Sequence, residues 1–345
     1  MGMSRNKKII FTLALMASGS FTAVMAVSDT VTLPYSLTDW MAKFKRADVV
    51  QAPSDNLQSA EKIALGKQLF FDPRMSGSGV ISCASCHNPS LGWQDGMAKG
   101  RGHMGEPLGR HTPTILNTAW SEPLFWDGRA ATLEEQAKGP IQADKEMHGS
   151  GDAVKAISSI QGYQWKFQKV FPGEGITLDT ISKAIASYER TIVSQKAPFD
   201  QWIDGDETAI SDEAKLGFVV FTDKGKCASC HAGWRLTDDG FHDIGINDDD
   251  LGRGKVMPGA DFLNHAFKTP TLRNIAERAP YMHDGSVPTL EAVVDHYDHG
   301  FTARSSLSAE ITPLHLTDAE KSELVAFMKT LSSVDDPVTA PVLPK

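Results

Sequence analysis

The chain is poor in basic charge, cysteine and strand-forming periodicity, and each shortage excludes something. Lys and Arg number 34 against 43 Asp and Glu, a formal net charge of −9. No basic stripe is visible, which argues against a nucleic-acid partner and suits a basic protein partner better. Strand-type residues are sparse and show no period of two, which argues against an all-β fold. Gly at 29 and Pro at 18 are ordinary counts, so collagen-like, low-complexity and wholly disordered chains are excluded. The 345 residues suit roughly two domains, each long enough to bury its own core.

Long apolar runs are also lacking, apart from one at the start. Arg5, Lys7 and Lys8 precede an apolar stretch from Ile9 to Ala26 that ends in Val24-Met25-Ala26. A basic start, an apolar centre and small residues at the end form the pattern of a secretory signal peptide, here residues 1–26. The stretch barely reaches the ~20 apolar residues a membrane span needs, and Ser18, Gly19 and Ser20 interrupt it. Once the signal is cleaved no span remains. The mature chain then starts near Val27 and is expected in the periplasm.

Only four cysteines are present, and their arrangement decides the class. Cys83-Ala84-Ser85-Cys86-His87 and Cys227-Ala228-Ser229-Cys230-His231 are both Cys-x-x-Cys-His. This spacing attaches a c-type haem: two thiols reach its two vinyl groups, and the following imidazole becomes the proximal iron ligand. A four-cysteine zinc site would not need a His after each pair. A thioredoxin-like redox pair gives no reason for a duplicate with the same His. The expectation is therefore two covalent haems, held by Cys83, Cys86, Cys227 and Cys230 with His87 and His231 on the irons. No cysteine is left for a disulfide.

The chain is also an internal repeat. Ser59-Ala60-Glu61-Lys62 and Ser211-Asp212-Glu213-Ala214 each open a helical stretch with a capping Ser and an early acidic residue, and each stretch leads to a haem motif. Each half then closes with an amphipathic helix. The first presents Ile181, Ile185, Tyr188 and Ile192 on one face. The second begins with a capping box at Thr317-Asp318-Ala319-Glu320 and presents Leu324, Phe327 and Leu331. The predicted fold is mainly α, with two cytochrome c-like domains: residues 27–203, residues 204–334, and an extended Pro-rich tail at 335–345.

Further motifs make the pattern specific. They include Leu65-Gly66-Lys67-Gln68-Leu69-Phe70-Phe71, Phe125-Trp126-Asp127-Gly128-Arg129, Glu134-Glu135-Gln136 and Ala197-Pro198-Phe199-Asp200. The second half adds Thr269-Pro270-Thr271-Leu272-Arg273-Asn274 and Ala279-Pro280-Tyr281-Met282-His283-Asp284-Gly285. With these residues the chain resembles the bacterial di-haem cytochrome c peroxidase and MauG family over about residues 59–333. The resemblance implies that the N-terminal haem is the peroxide site and the C-terminal haem the electron-transfer site.

It also implies roles for single residues. His103, in the Gly-rich loop after the first motif, matches a distal His that leaves the iron on activation in the peroxidases; MauG leaves that position open. Glu146 matches a distal carboxylate, which can move a proton from one peroxide oxygen to the other. Gln136 matches a residue of the same pocket, and Trp126 matches the tryptophan between the haems. The peroxidases use Met as the second ligand of the C-terminal haem at a position occupied here by Tyr297, and MauG uses Tyr there. A phenolate is a hard anion that favours ferric or higher states, where a thioether favours ferrous iron. The other candidates for this ligand are Met282, Met257, His296 and Met328.

A calcium ion (Ca2+) between the haems is a family feature, but His111 stands where the family has Asn, which does not favour it. The remaining histidines read as surface or network residues, His283 as structural or near a haem edge, and Asp248-Asp249-Asp250 as a solvated acidic loop. The implied reaction is reduction of hydrogen peroxide to water with electrons from a small c-type cytochrome or cupredoxin. The alternative is MauG-like oxidation of a protein partner. A third possibility is a pure electron carrier, which peroxide reactivity would exclude. A homodimer is implied by the family alone.

Overall fold

The computed structural model describes residues 36–46, 49–149 and 151–345. The expected signal peptide lies outside the described residues. Helices dominate: α1 (Ser36–Lys43), α2 (Ala60–Phe71), α3 (Cys83–Cys86), α4 (Leu133–Gln142), α5 (Asp152–Ser158), α6 (Gln161–Val170) and α7 (Leu178–Glu189) come first. They are followed by α8 (Pro198–Ile203), α9 (Asp212–Thr222), α10 (Arg253–Val256), α11 (Leu290–Asp295) and α12 (Asp318–Lys329). Among the described residues the only sheet is a two-residue antiparallel pair, Phe241–His242 with Phe267–Lys268.

The capping signals act where the sequence places them. Ser59 accepts from the Lys62 N–H at the start of α2, and Ser211 from the Ala214 N–H at the start of α9. Thr317 and Glu320 form a reciprocal capping box on α12. In the first half α2 packs against α7, and in the second α9 packs against α12. Each crossing is tight because of one glycine. A Cβ at Gly66 would collide with the Ala184 carbonyl oxygen, and a Cβ at Gly217 with the Glu323 carbonyl oxygen. The repeated Leu-Gly pair thus sets how close the two helices of each half come.

Two apolar cores result. The first gathers Leu65, Leu69, Phe70, Phe167, Ile181, Ile185 and Tyr188. The second gathers Phe218, Phe221, Phe327 and Leu331, joined by Leu37 and Phe44 from the α1 region and by Phe199 and Trp202 from α8. Residues that precede the first haem motif in the chain therefore complete the second core. The tail runs the other way. Val338 packs on the first core, Gln68 donates to the Val342 carbonyl (2.8 Å), Arg74 to that of Pro344 (3.0 Å), and the Gly162 N–H to that of Lys345 (3.0 Å).

Two family motifs that are distant in the chain meet as a buried ion pair. The Arg273 guanidinium donates to both Asp200 carboxylate oxygens at 2.7 Å. Such a pair is costly to break on one side, because it leaves a buried charge without a partner.

Candidate active site

Each haem motif forms one tight turn: α3 in the first half and a 3-10 turn, Cys227–Ser229, in the second. Both motifs line one cavity of about 970 Å³. The imidazoles are oriented alike. His87 Nδ1 donates to the Trp93 carbonyl at 3.1 Å and His231 Nδ1 to the Leu236 carbonyl at 2.8 Å. Both acceptor residues sit in the left-handed region, at φ 63° and 53°. With the proton held on Nδ1, each Nε2 keeps its lone pair for a metal. Burial pushes both imidazole pKa values down, so both rings are neutral, as ligands must be. Burial also pushes the thiols up, Cys86 to about 11 and Cys227 to about 12. The donor set and the largely apolar cavity fit two covalently held haems.

Gln136, Glu146 and Trp126 line this cavity. Burial raises the Glu146 carboxyl pKa against the pull of the Arg129 guanidinium, and Glu146 lies close enough to Cys86 to raise the thiol pKa in turn. Trp126 Nε1 donates to the His111 carbonyl at 2.9 Å, and its ring meets His283 edge-on with centroids 6.5 Å apart. The two rings hold equivalent places in repeated turns, Pro123-Leu124-Phe125-Trp126-Asp127-Gly128 and Pro280-Tyr281-Met282-His283-Asp284-Gly285. That match is a signal in the sequence for their meeting. The glycine of each turn abuts the opposite half, Gly128 against Phe241 and Gly285 against the Ala98 backbone.

Tyr297 is also on the cavity wall, in a π-helical turn, His296–Gly300, that continues α11. Burial raises its phenol pKa, with the Cys227 and Cys230 sulfurs adding to the effect. Met282 and Met328 line the cavity as well. Met257 is exposed, and His296 Nε2 is engaged by the Ile244 carbonyl at 2.9 Å.

His103 is placed differently. Its neighbours Gly102, Lys145 and Glu146 line the cavity, but His103 does not. Its ring stacks on His148, with centroids 4.5 Å apart. The His111 Nδ1 donates to the Met97 carbonyl at 2.7 Å.

The acidic run is not a freely solvated loop. Asp248 Oδ2 lies 2.5 Å from His283 Nε2, and Asp250 binds Arg110, which also binds Asp127 at 2.7 Å. Sequence reasoning placed these aspartates at the surface because their partners are remote in the chain. It also missed Glu189, which ends α7 on the cavity wall with its carboxyl pushed up to about 8 by burial. One Glu189 oxygen has no hydrogen-bond partner.

Two helical halves, each presenting Cys-x-x-Cys-His to one cavity, define a di-haem protein of the cytochrome c class. Residues 60–208 match the di-haem cytochrome c peroxidase family and residues 214–332 match cytochrome c. The chain is 48% identical to the methylamine utilization protein MauG of Methylorubrum extorquens, over 88% of this chain and 87% of that protein. It is 38% identical to the cytochrome c551 peroxidase of Nitrosomonas europaea, over 83% of this chain and 84% of that one. The crystal structure of a MauG-like protein associated with microbial copper homeostasis superposes with a TM-score of 0.77 at 31% identity, over 83% of this chain and 93% of that one. The chain belongs to the di-haem cytochrome c peroxidase and MauG family. It is an oxidoreductase acting on peroxide, with two c-type haems as its cofactors. No described helix is long and apolar enough to cross a membrane.

Proposed function

We propose that this chain is an exported, periplasmic di-haem enzyme of the MauG kind, which uses hydrogen peroxide to oxidise residues of a protein partner. The observation that carries this reading is Tyr297 on the cavity wall, with its hydroxyl free of any hydrogen-bond partner among the described residues. Burial holds the proton on this phenol, so the proton leaves only when a cation is placed against the oxygen. A phenolate there would stabilise higher oxidation states, which suits oxidation of a partner better than storage of an electron. The MauG relatives are named methylamine utilization proteins, which supports a partner of that process.

Bound haem iron would supply the redox-active centre at which the O–O bond breaks. The chain's own residues handle position and protons. The Glu146 carboxyl, its pKa raised by burial, accepts a proton from one peroxide oxygen and returns it to the leaving oxygen. The Gln136 amide orients the peroxide by hydrogen bonding. Trp126, held through its Nε1 and edge-on to His283, provides a polarizable aromatic path between the halves. Overall, one peroxide, two electrons and two protons give two waters.

A second reading, a peroxidase fed by a small c-type cytochrome or cupredoxin, is favoured by the peroxidase relatives and by His103 lying on a loop that borders the cavity. The deciding experiment is peroxide-dependent oxidation of a pre-reduced small cytochrome c by the purified holoenzyme. Rapid turnover supports the donor-fed peroxidase. Failure with several donors, together with a long-lived peroxide-induced spectral change, supports oxidation of a protein partner. A redox titration of Tyr297→Met complements it: the C-terminal haem potential should rise, and an unchanged potential would remove Tyr297 as its ligand.

A further inference from the structure

His148 is an unusual neighbour for a candidate iron ligand. It sits at φ 51°, a left-handed conformation uncommon for a residue with a side chain, at the end of the turn that carries Glu146. Its backbone N–H donates to the Ala143 carbonyl at 3.0 Å. Its carbonyl and ring edge lie against Gly77, where a Cβ would collide with both. The turn and the bare glycine thus let the imidazole lie flat on His103, with an interplanar angle of 22°.

The His103 side is held as well. Its N–H donates to the Lys145 carbonyl at 2.9 Å, and Gly102 packs so closely on Lys145 and Glu146 that no Cβ would fit. The tip of the loop, Met104, faces solvent at 81% exposure. A backbone carbonyl orients the ring of each proximal histidine, but His103 Nδ1 is buried with no hydrogen-bond partner among the described residues. The ring is therefore held by stacking, beside the cavity that the adjacent Gly102 lines.

We propose that His148 is a positioning residue that parks the His103 imidazole, keeping the distal side of the His87 haem open to peroxide in the resting oxidised protein. This rests on the reading of that haem as the peroxide site. With the stack removed, rotation about Gly102-His103 would let the imidazole enter the cavity and compete with peroxide for the iron.

The test is ferric-state electron paramagnetic resonance and cyanide-binding kinetics on the two-haem holoprotein. The wild type should show one high-spin haem and fast cyanide binding. His148→Gly, which suits the left-handed turn, should convert that haem to low-spin and slow cyanide binding at least ten-fold. His148→Phe, which keeps a flat ring, should stay open, and His148→Gly with His103→Ala should reopen the site. An unchanged spin state and rate in His148→Gly would overturn the proposal. So would a low-spin wild type that turns high-spin in His103→Ala. An N-terminal haem that takes no cyanide even in His103→Ala would remove the peroxide-site reading itself, and the proposal with it.

Discussion

At Glu146, burial and the Arg129 guanidinium pull the carboxyl pKa in opposite directions, and burial wins. Proton transfer by a placed carboxylate contributes roughly 10²–10⁴-fold to such reactions. Glu146→Gln should therefore slow peroxide consumption in stopped flow by about that range while cyanide still binds; an unchanged rate would take Glu146 out of the chemistry. Glu189 makes a different prediction. Its folded pKa of about 8 lies above the ordinary carboxylate value, so the folded protein keeps a proton that the unfolded chain gives up. The stability tied to that proton is fully present below the ordinary carboxylate range and is lost as pH rises through about 8. Relative to wild type, Glu189→Gln should flatten the fall in melting temperature across this window. Parallel curves would show that Glu189 is not protonated in the folded protein.

At the scale of elements, the two helix crossings are built alike. Gly66 lets α2 approach α7, and Gly217 lets α9 approach α12, each at a position where a methyl group would meet a backbone carbonyl. Neither carbonyl can move without shifting its helix, so overpacking here costs about 1–3 kcal/mol or more. Gly66→Ala and Gly217→Ala should each lower the denaturation midpoint by a corresponding amount. If either proves neutral, that crossing is looser than described. The π-helical turn at His296–Gly300 is the other telling element. It adds no long hydrogen-bonded stretch, and it places Tyr297 on the cavity wall while His296 turns to the Ile244 carbonyl.

Across the whole molecule, the two ends of the described chain cross over. Leu37 and Phe44 complete the second core, and residues 338–345 are tied to the first half. Each hydrogen bond to the tail is worth roughly 0.5–1.5 kcal/mol. A chain ending at Asp336 loses three of these bonds and the Val338 contact. It should melt measurably lower while keeping both haems, as checked by calorimetry and a pyridine haemochrome assay. An unchanged melting temperature would mean that the strap is held only by solvent-exposed contacts of no net worth.

The cofactor was legible from the sequence alone, because covalent haem attachment depends on five consecutive residues and needs no tertiary context. The helix starts were legible for the same reason: a cap and its helix lie within four residues of each other. The repeat made the mainly helical pair of halves legible as well. What only the tertiary structure decided were relations between remote segments. Asp200 finds Arg273, Asp248 finds His283, and Glu189 comes to the cavity wall, each through packing that no local pattern encodes. His103 is the sharpest case. Its spacing from His87 is compatible with reaching the iron, and in the structure its ring stacks on His148 beside the close fit of Gly102 on the Glu146 turn. Spacing along the chain sets what a side chain can reach, and the packing around it sets where it rests.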